Sequence, residues 1–343
     1  MSDTITGDQL SELQQQGEFQ IVPFTEPLPP SGNPAHEKVD LPVREKTQFR
    51  SLLSKLPAGA RKFVFPNGVH HSLAALKQNS VAMLRTADGA LEKAKAIMLS
   101  GLATVSAVCG HFFLAEINKE MQLFGEKIDR ISEFLYGDKK AELLAELTFA
   151  RYASENYTSI MKFSEQRIAT IASLQEAKKV AMKDIEFYLT DLNALSEEKT
   201  KNASELSDLV DRAGRIHDCI TLSSQLFTMS SLLEAFYSQN TDSSYLFYVE
   251  ESNAEYLNRC DKSAYSAWST ILYRAKEAVA KAPAKSPLKV PEFLKTISDR
   301  MDSLSLDRTS EARKRFHAIL EDMTRQTELV FDENGDAYIK RIS

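Results

Sequence analysis

Glycine and proline are scarce: twelve and eleven in 343 residues, with the prolines gathered towards the ends of the chain. A sandwich or barrel needs a turn signal roughly every 8–12 residues, so a long stretch poor in both argues for helix. Cysteine is scarcer still. Cys109, Cys219 and Cys260 form neither a metal-type spacing nor a disulfide framework, which fits a reducing compartment. Excess positive charge is missing too. Forty-two Lys and Arg face 48 Asp and Glu, a net charge of −6, which argues against a nucleic-acid binder working through its overall field. Signatures of catalysis are absent: no phosphate-binding Gly-rich loop, no GxSxG, no HExxH. The opening MSDTITGDQLSELQQQGEFQ has no apolar core of a signal peptide. The expected location is the cytoplasm or the cytoplasmic side of a membrane.

Along the chain, residues 1–60 read as a polar, irregular, poorly ordered tail. Pro23, Pro27, Pro29, Pro30 and Pro34 lie within twelve residues and favour an extended conformation. Residues 61–92 read as a small β-containing element, with KFVF before the turn Pro66-Asn67-Gly68 and a second turn at Asp88-Gly89. An amphipathic helix through Leu73, Leu76, Ala82 and Leu84 is the alternative. Beyond residue 92 the chain reads as helix. In 139–198, Ile168, Ile171, Leu174, Ala181, Ile185, Tyr188, Leu192 and Leu195 recur at helical spacing. A further helix is predicted over 204–238, carrying Leu206, Leu209, Ala213, Ile216, Ile220, Phe227 and Leu233 and broken by QNTDSS. Helices near 250–281 and 291–328 are separated by KAPAKSPLKVP, an extended linker. Asn334-Gly335 between two short apolar runs predicts a hairpin over 329–343.

Residues 96–115, AIMLSGLATVSAVCGHFFLA, contain no Asp, Glu, Lys or Arg over twenty positions. As a helix they would measure about 30 Å, the thickness of a bilayer's hydrocarbon. Downstream, Leu114, Ile117, Met121, Phe124, Ile128, Ile131 and Leu135 follow a 3-4 spacing, the seam of a coiled coil or bundle. Continued upstream, that register meets only small residues: Gly110, Ala107, Ala103, Ser100 and Ala96. Ile97, Leu99, Leu102, Val105, Val108, Phe112 and Phe113 then occupy the remaining surface. Helices in lipid associate through small residues, because the drive to bury large ones is lost there. The pattern therefore predicts large residues facing lipid and a small-residue packing seam, on a helix that runs from membrane into water. A bundle helix covered on both faces is the competing reading.

Other polar clusters read as structure. His70-His71 point about 100° apart on a helix and to opposite faces on a strand, so a surface turn is preferred to a metal site. Asp332, Asn334 and Asp336 resemble the start of a calcium loop, but the later Glu is missing. His217, Asp218 and Cys219 do not face one another on a helix. His111 reads as a hydrogen-bonded, partly buried histidine. Tyr245, Phe247, Tyr248, Tyr256, Tyr265, Trp268 and Tyr273 read chiefly as bundle core. EARKR (311–315) reads as a solvated helix face.

The uncharged segment among long helices over 96–195 resembles, in architecture, the cytolysin A-type α-pore-forming toxins. This chain departs from them in the Pro-rich stretch before the segment, where they have a long helix. The resemblance implies conditional insertion into a membrane. The combined expectation is a mainly α protein: a long-helix bundle or coiled coil (116–328) with one apolar helical segment (93–137 with its seam), a small β-containing N-terminal element and a C-terminal β-hairpin. It is expected to be non-enzymatic, with no cofactor and no catalytic or metal residue. Its expected partners are membrane lipid and either a protein partner or further copies of itself. A pore-forming protein and a helical scaffold in the cytoplasm are the alternatives.

Overall fold

The computed structural model describes residues 4–24, 37–39, 41, 43–57, 59–69, 71–73, 75–76, 93–105, 114, 137–200, 203–240, 242–281, 295, 317, 325–332 and 334–341. The fold is mainly helical, a bundle of long packed helices joined to a small antiparallel sheet.

The bundle is built from α3 (Gly137–Glu155), the single turn α4 (Tyr157–Ile160), α5 (Ser164–Glu197), α6 (Ala203–Ser238) and α7 (Ser243–Lys281). Helix α6 packs along α5, α7 lies against both, and α3 packs on α5 and α6. The apolar periodicity of the sequence explains why. Leu174, Ala181, Ile185, Tyr188 and Leu192 of α5 are buried, as are Leu206, Ala213, Ile220, Phe227 and Leu233 of α6. Ile168, assigned to the same face from its spacing, is 64% exposed, because at about 100° per residue it lies opposite the buried Thr170 and Leu174.

The run 139–198, without Gly or Pro, is not one helix. It breaks at Asn156 and again at 161–163, on either side of a single turn in which Thr158 and Ser159 follow Asn156 and lower the helix propensity. The turn is held from outside: the Tyr157 hydroxyl donates to the Phe236 carbonyl at 3.3 Å, and the Tyr237 hydroxyl to the Ala153 carbonyl at 2.7 Å. Helix α3 thereby folds back antiparallel to α5, and the Lys139 ammonium pairs with the buried Asp184 carboxylate at 2.8 Å. At the other break Gln239 takes φ 51° after α6, and the Asp242 carboxylate accepts from the Tyr245 amide at 3.0 Å to start α7.

The sheet has the order β1-β3-β4-β5-β2, with β1 (Gln20–Pro23), β2 (Glu37–Val39), β3 (Ala60–Phe65), β4 (Thr327–Phe331) and β5 (Ala337–Arg341), every neighbouring pair antiparallel. One face carries Phe63, Phe65, Leu329, Phe331 and Ile339, all buried. Helix α2 (Val43–Leu53) lies on it, with the Phe49 and Phe331 rings 4.4 Å apart. Helix α1 (Gly7–Gly17) opens with a capping box between Thr6 and Gln9 and buries Leu10 and Leu13.

Two sequence expectations change here. Residues 1–60, read as an irregular tail, contain α1, β1, β2 and α2. The polar composition hid a sparse apolar set (Ile5, Leu10, Leu13, Phe19, Ile21, Phe49, Leu52) that is buried only because a sheet lies beneath it. Residues 61–92 and 329–343, read as separate β elements, share one sheet through β3 and β4, 262 or more positions apart in the chain. After β3, residues 69–76 are helical where described, with Leu73 and Leu76 buried, as in the alternative reading. Residues 77–92, and with them the second turn at Asp88-Gly89, lie outside the described residues.

The β4–β5 turn is tied to α2. Gly335 adopts φ 76°, and a Cβ there would lie 2.7 Å from the Lys46 carbonyl oxygen. Asp336, one of the calcium-like residues, instead pairs with Lys38 at 3.0 Å and Lys46 at 2.6 Å, while Arg50 donates to the Asn334 carbonyl at 2.7 Å. Hydrogen bonds from Lys46 and Lys38 hold the Asp336 carboxyl below its usual 3.8. The stability it adds is present above that value and is lost as pH falls through its lower folded value. Asp336→Asn should therefore lower stability by about 1 kcal/mol near neutral pH, with the difference from the parent closing in acid. Gly335→Ala should cost about 2 kcal/mol at every pH, since its left-handed backbone does not titrate. Chemical denaturation across a pH series checks both.

Candidate functional site

The segment singled out by its lack of charge is described over 93–105, a helix about 20 Å long, and at Leu114. Its buried face is Ala94, Met98, Leu102 and Val105, at spacings of four, four and three, with Met98, Leu102 and Val105 wholly enclosed. Ile97 and Leu99 are half-buried against the same core. Ala96, Ser100 and Ala103 are exposed.

This reverses the predicted faces. Leu102 and Val105, assigned to lipid, are inside the folded chain; Ala96, Ser100 and Ala103, assigned to a packing seam, point outward. The reason is solvation. In water each large side chain gains roughly 1.5–3 kcal/mol on burial, whereas an alanine gains little, so the large face turns inward wherever a cover exists. The heptad carried upstream from Leu114 missed the face by about one position and passed over Met98 altogether. Leu114 of the predicted seam is fully buried. Ala107, Val108, Gly110, His111, Phe112 and Phe113, and the rest of the seam (Ile117, Met121, Phe124, Ile128, Ile131, Leu135), lie outside the described residues.

The cover comes from residues that give no sequence signal. Gly101 faces α2 so closely that a Cβ would lie 2.6 Å from one Leu52 methyl and 3.2 Å from the Leu52 Cγ. Lys95, with 7% of its surface exposed, donates to the Gln16 side-chain oxygen of α1 at 3.1 Å. Burial lowers its pKa from the ordinary 10.5, with Glu12 opposing. A lysine paired with a neutral amide at the edge of an apolar contact is a weak tie, since the ammonium loses water without gaining an opposite charge. Helix 93–105 thus lies under both α1 and α2.

The remaining clusters divide between core and surface. Burial pushes the Cys219 thiol up to about 12 and Cys260 up to about 11, away from thiolate chemistry. His217 is buried edge-on to Trp268 at 6.4 Å. The aromatic group splits. Trp268 and Tyr256 are core, the latter donating to the Met182 carbonyl at 3.3 Å, whereas Phe247, Tyr248, Tyr265 and Tyr273 are exposed. His71, read as part of a surface turn, sits on the helical segment 69–76 with Nε2 3.1 Å from a Glu18 carboxylate oxygen; His70 lies outside the described residues. Among the described residues no group of three or more His, Cys, Asp or Glu is arranged to hold a metal, and no helix is long and apolar enough to cross a membrane.

The two faces of 93–105 are separable by charge. Leu102→Asp should cost 3 kcal/mol or more, because a carboxylate would be buried without a partner. Ala103→Asp, one position on, should change stability by about 0.5 kcal/mol or less. Thermal melting of the two variants reads the difference directly, and equal costs would contradict the burial described above.

Comparison of the chain with known protein families, with characterised proteins and with solved structures finds no match.

Proposed function

We propose that this is a non-enzymatic helical protein whose uncharged segment 96–115, enclosed at Met98, Leu102, Val105 and Leu114 in the folded chain, inserts into a membrane on contact with one. A permanent anchor, the first expectation from sequence, fits poorly with Leu102 and Val105 being enclosed. The reading is carried by one observation. Twenty consecutive residues without charge begin in a helix whose Met98, Leu102 and Val105 are wholly buried, with Gly101 on the same face set against Leu52 of α2.

The energetics run as follows. Lifting the cover in water exposes Met98, Leu102 and Val105, which costs roughly 5–9 kcal/mol for these three side chains alone, so the sheltered state dominates there. Against acyl chains that cost vanishes, because hydrocarbon solvates these side chains as well as a protein core does. The bilayer is then the trigger, by differential solvation of two states of one helix. The long bundle supplies the rigid body, and exposed Ile168, Phe187, Tyr265 and Tyr273 on α5 and α7 offer surfaces for self-association or a protein partner. The protein would work in the cytoplasm and meet the membrane from that side. A helical scaffold without lipid contact is the second reading, since the same burial of Leu102 and Val105 serves it equally.

A reversible lock separates the two. The Leu52 Cγ is 3.2 Å from where a Gly101 Cβ would lie, which places cysteines at 52 and 101 within disulfide reach. In a Cys109→Ser background, Leu52→Cys/Gly101→Cys should hold the helix under α2. Under reducing conditions this variant, like the parent, should float with vesicles of phosphatidylcholine and anionic lipid and release an entrapped dye. Oxidation should cut both signals at least tenfold. Absence of binding in every state would leave the scaffold; binding that ignores oxidation would remove 93–105 from the mechanism.

A further inference from the structure

The sheet's two edge strands, β1 and β2, and the two helices lying over the apolar helix, α1 and α2, all come from one stretch of chain, residues 4–57. The three inner strands, β3, β4 and β5, come from elsewhere and pair with one another without help from that stretch. We propose that the elements α1, β1, β2 and α2 act as a clasp: a single autoinhibitory unit that closes over helix 93–105, fastened at the β4–β5 turn and able to leave without unfolding the bundle. This rests on the reading of 96–115 as the lipid-seeking element and assigns the part of the chain that restrains it.

The geometry separates fastening from covering. Covering is apolar: Leu52 seats against Gly101, and Phe49 stacks on Phe331. Fastening is polar and gathered at the two sheet edges. On the β2 side, Lys38, Lys46 and Arg50 of the clasp engage Asp336 and the Asn334 carbonyl. On the β1 side, a Glu18 carboxylate oxygen lies 3.1 Å from both Asn67 Nδ2 and His71 Nε2, and the Glu18 carbonyl accepts from the Ser72 hydroxyl at 3.4 Å. The edge strands are short, four residues in β1 and three in β2, so each ladder adds few backbone bonds. Leu174, Ile185, Ala213, Phe227, Leu233 and Trp268 of the bundle are buried on helices that pack chiefly on one another. Departure of the clasp would bare the apolar helix, the Phe63–Phe331 face and both edges of the inner strands in one step.

The test uses the full chain. Leu102→Cys in a Cys109→Ser background places a thiol at the covered helix, while native Cys219 and Cys260, both buried in the bundle, report on the bundle itself. Lys38→Glu/Lys46→Glu should raise the maleimide labelling rate of position 102 at least tenfold and leave Cys219 and Cys260 protected. Adding Asp336→Lys, which restores opposite charges at the latch, should return the rate towards that of the parent. An unchanged rate at 102, or all three thiols labelling together, would overturn the clasp. Vesicle binding is scored separately. Faster labelling of 102 with no gain in binding keeps the clasp and removes the membrane reading; binding by the parent with labelling insensitive to the latch does the reverse.

Discussion

Burial of one apolar helix face governs the N-terminal half of this molecule. Met98, Leu102 and Val105 need a cover in water and are wholly enclosed, and α2 meets the same helix face at the Gly101–Leu52 contact. Much else follows from that need. Gly101 leaves room for the Leu52 side chain, whose methyl would lie 2.6 Å from a Cβ there. Lys95, caught at the rim, accepts a neutral partner in Gln16. The sheet gains edge strands from the same stretch of chain that supplies the cover. Polar ties at Asp336 and Glu18 then fix the position of a layer whose apolar contacts alone would leave it free to slide.

The long-helix bundle obeys a different economy. Its helices bury a broad stripe of large residues against one another, with Trp268, Tyr157, Tyr237 and Phe236 wholly enclosed. Some of its buried polar groups are answered within it: the Ser231 hydroxyl lies 2.9 Å from the Phe227 carbonyl oxygen and 3.0 Å from Asn253 Oδ1, and Lys139 meets Asp184. Burial raises the Asp184 carboxyl despite that lysine, so the pair costs desolvation and gives direction more than strength. A body of this kind suits rigidity, while the sheet-side layer, with short edge strands and ties at its rims, suits release. Separating the two properties into different parts of one chain is what a conditional membrane response requires.

Legibility followed range. The α6 helix was readable nearly to the residue, because its apolar positions recur within one element and QNTDSS ends it with local turn chemistry. The C-terminal hairpin was readable for the same reason, Asn334-Gly335 being a short-range signal. The break near Asn156 was less so, since the hydroxyls that hold it belong to Tyr157 and Tyr237, about eighty positions apart. In 93–105 the lack of charge was visible, but the face was not. Alanines and large residues share the segment, and which set turns inward depends on what lies opposite.

By itself the sequence determined the helical class, the extent of α6, the terminal hairpin and the existence of a charge-free stretch at 96–115. These are set by periodicity and by turn residues that act on near neighbours. Tertiary structure alone decided that α1, β1, β2 and α2 form in the polar N-terminal stretch, that β3 and β4 join across most of the chain, that Leu52 and Gln16 meet helix 93–105, and that Asp336 finds Lys38 and Lys46. Each of those is a meeting of residues distant in sequence, where a polar composition conceals the few side chains that another part of the molecule will cover.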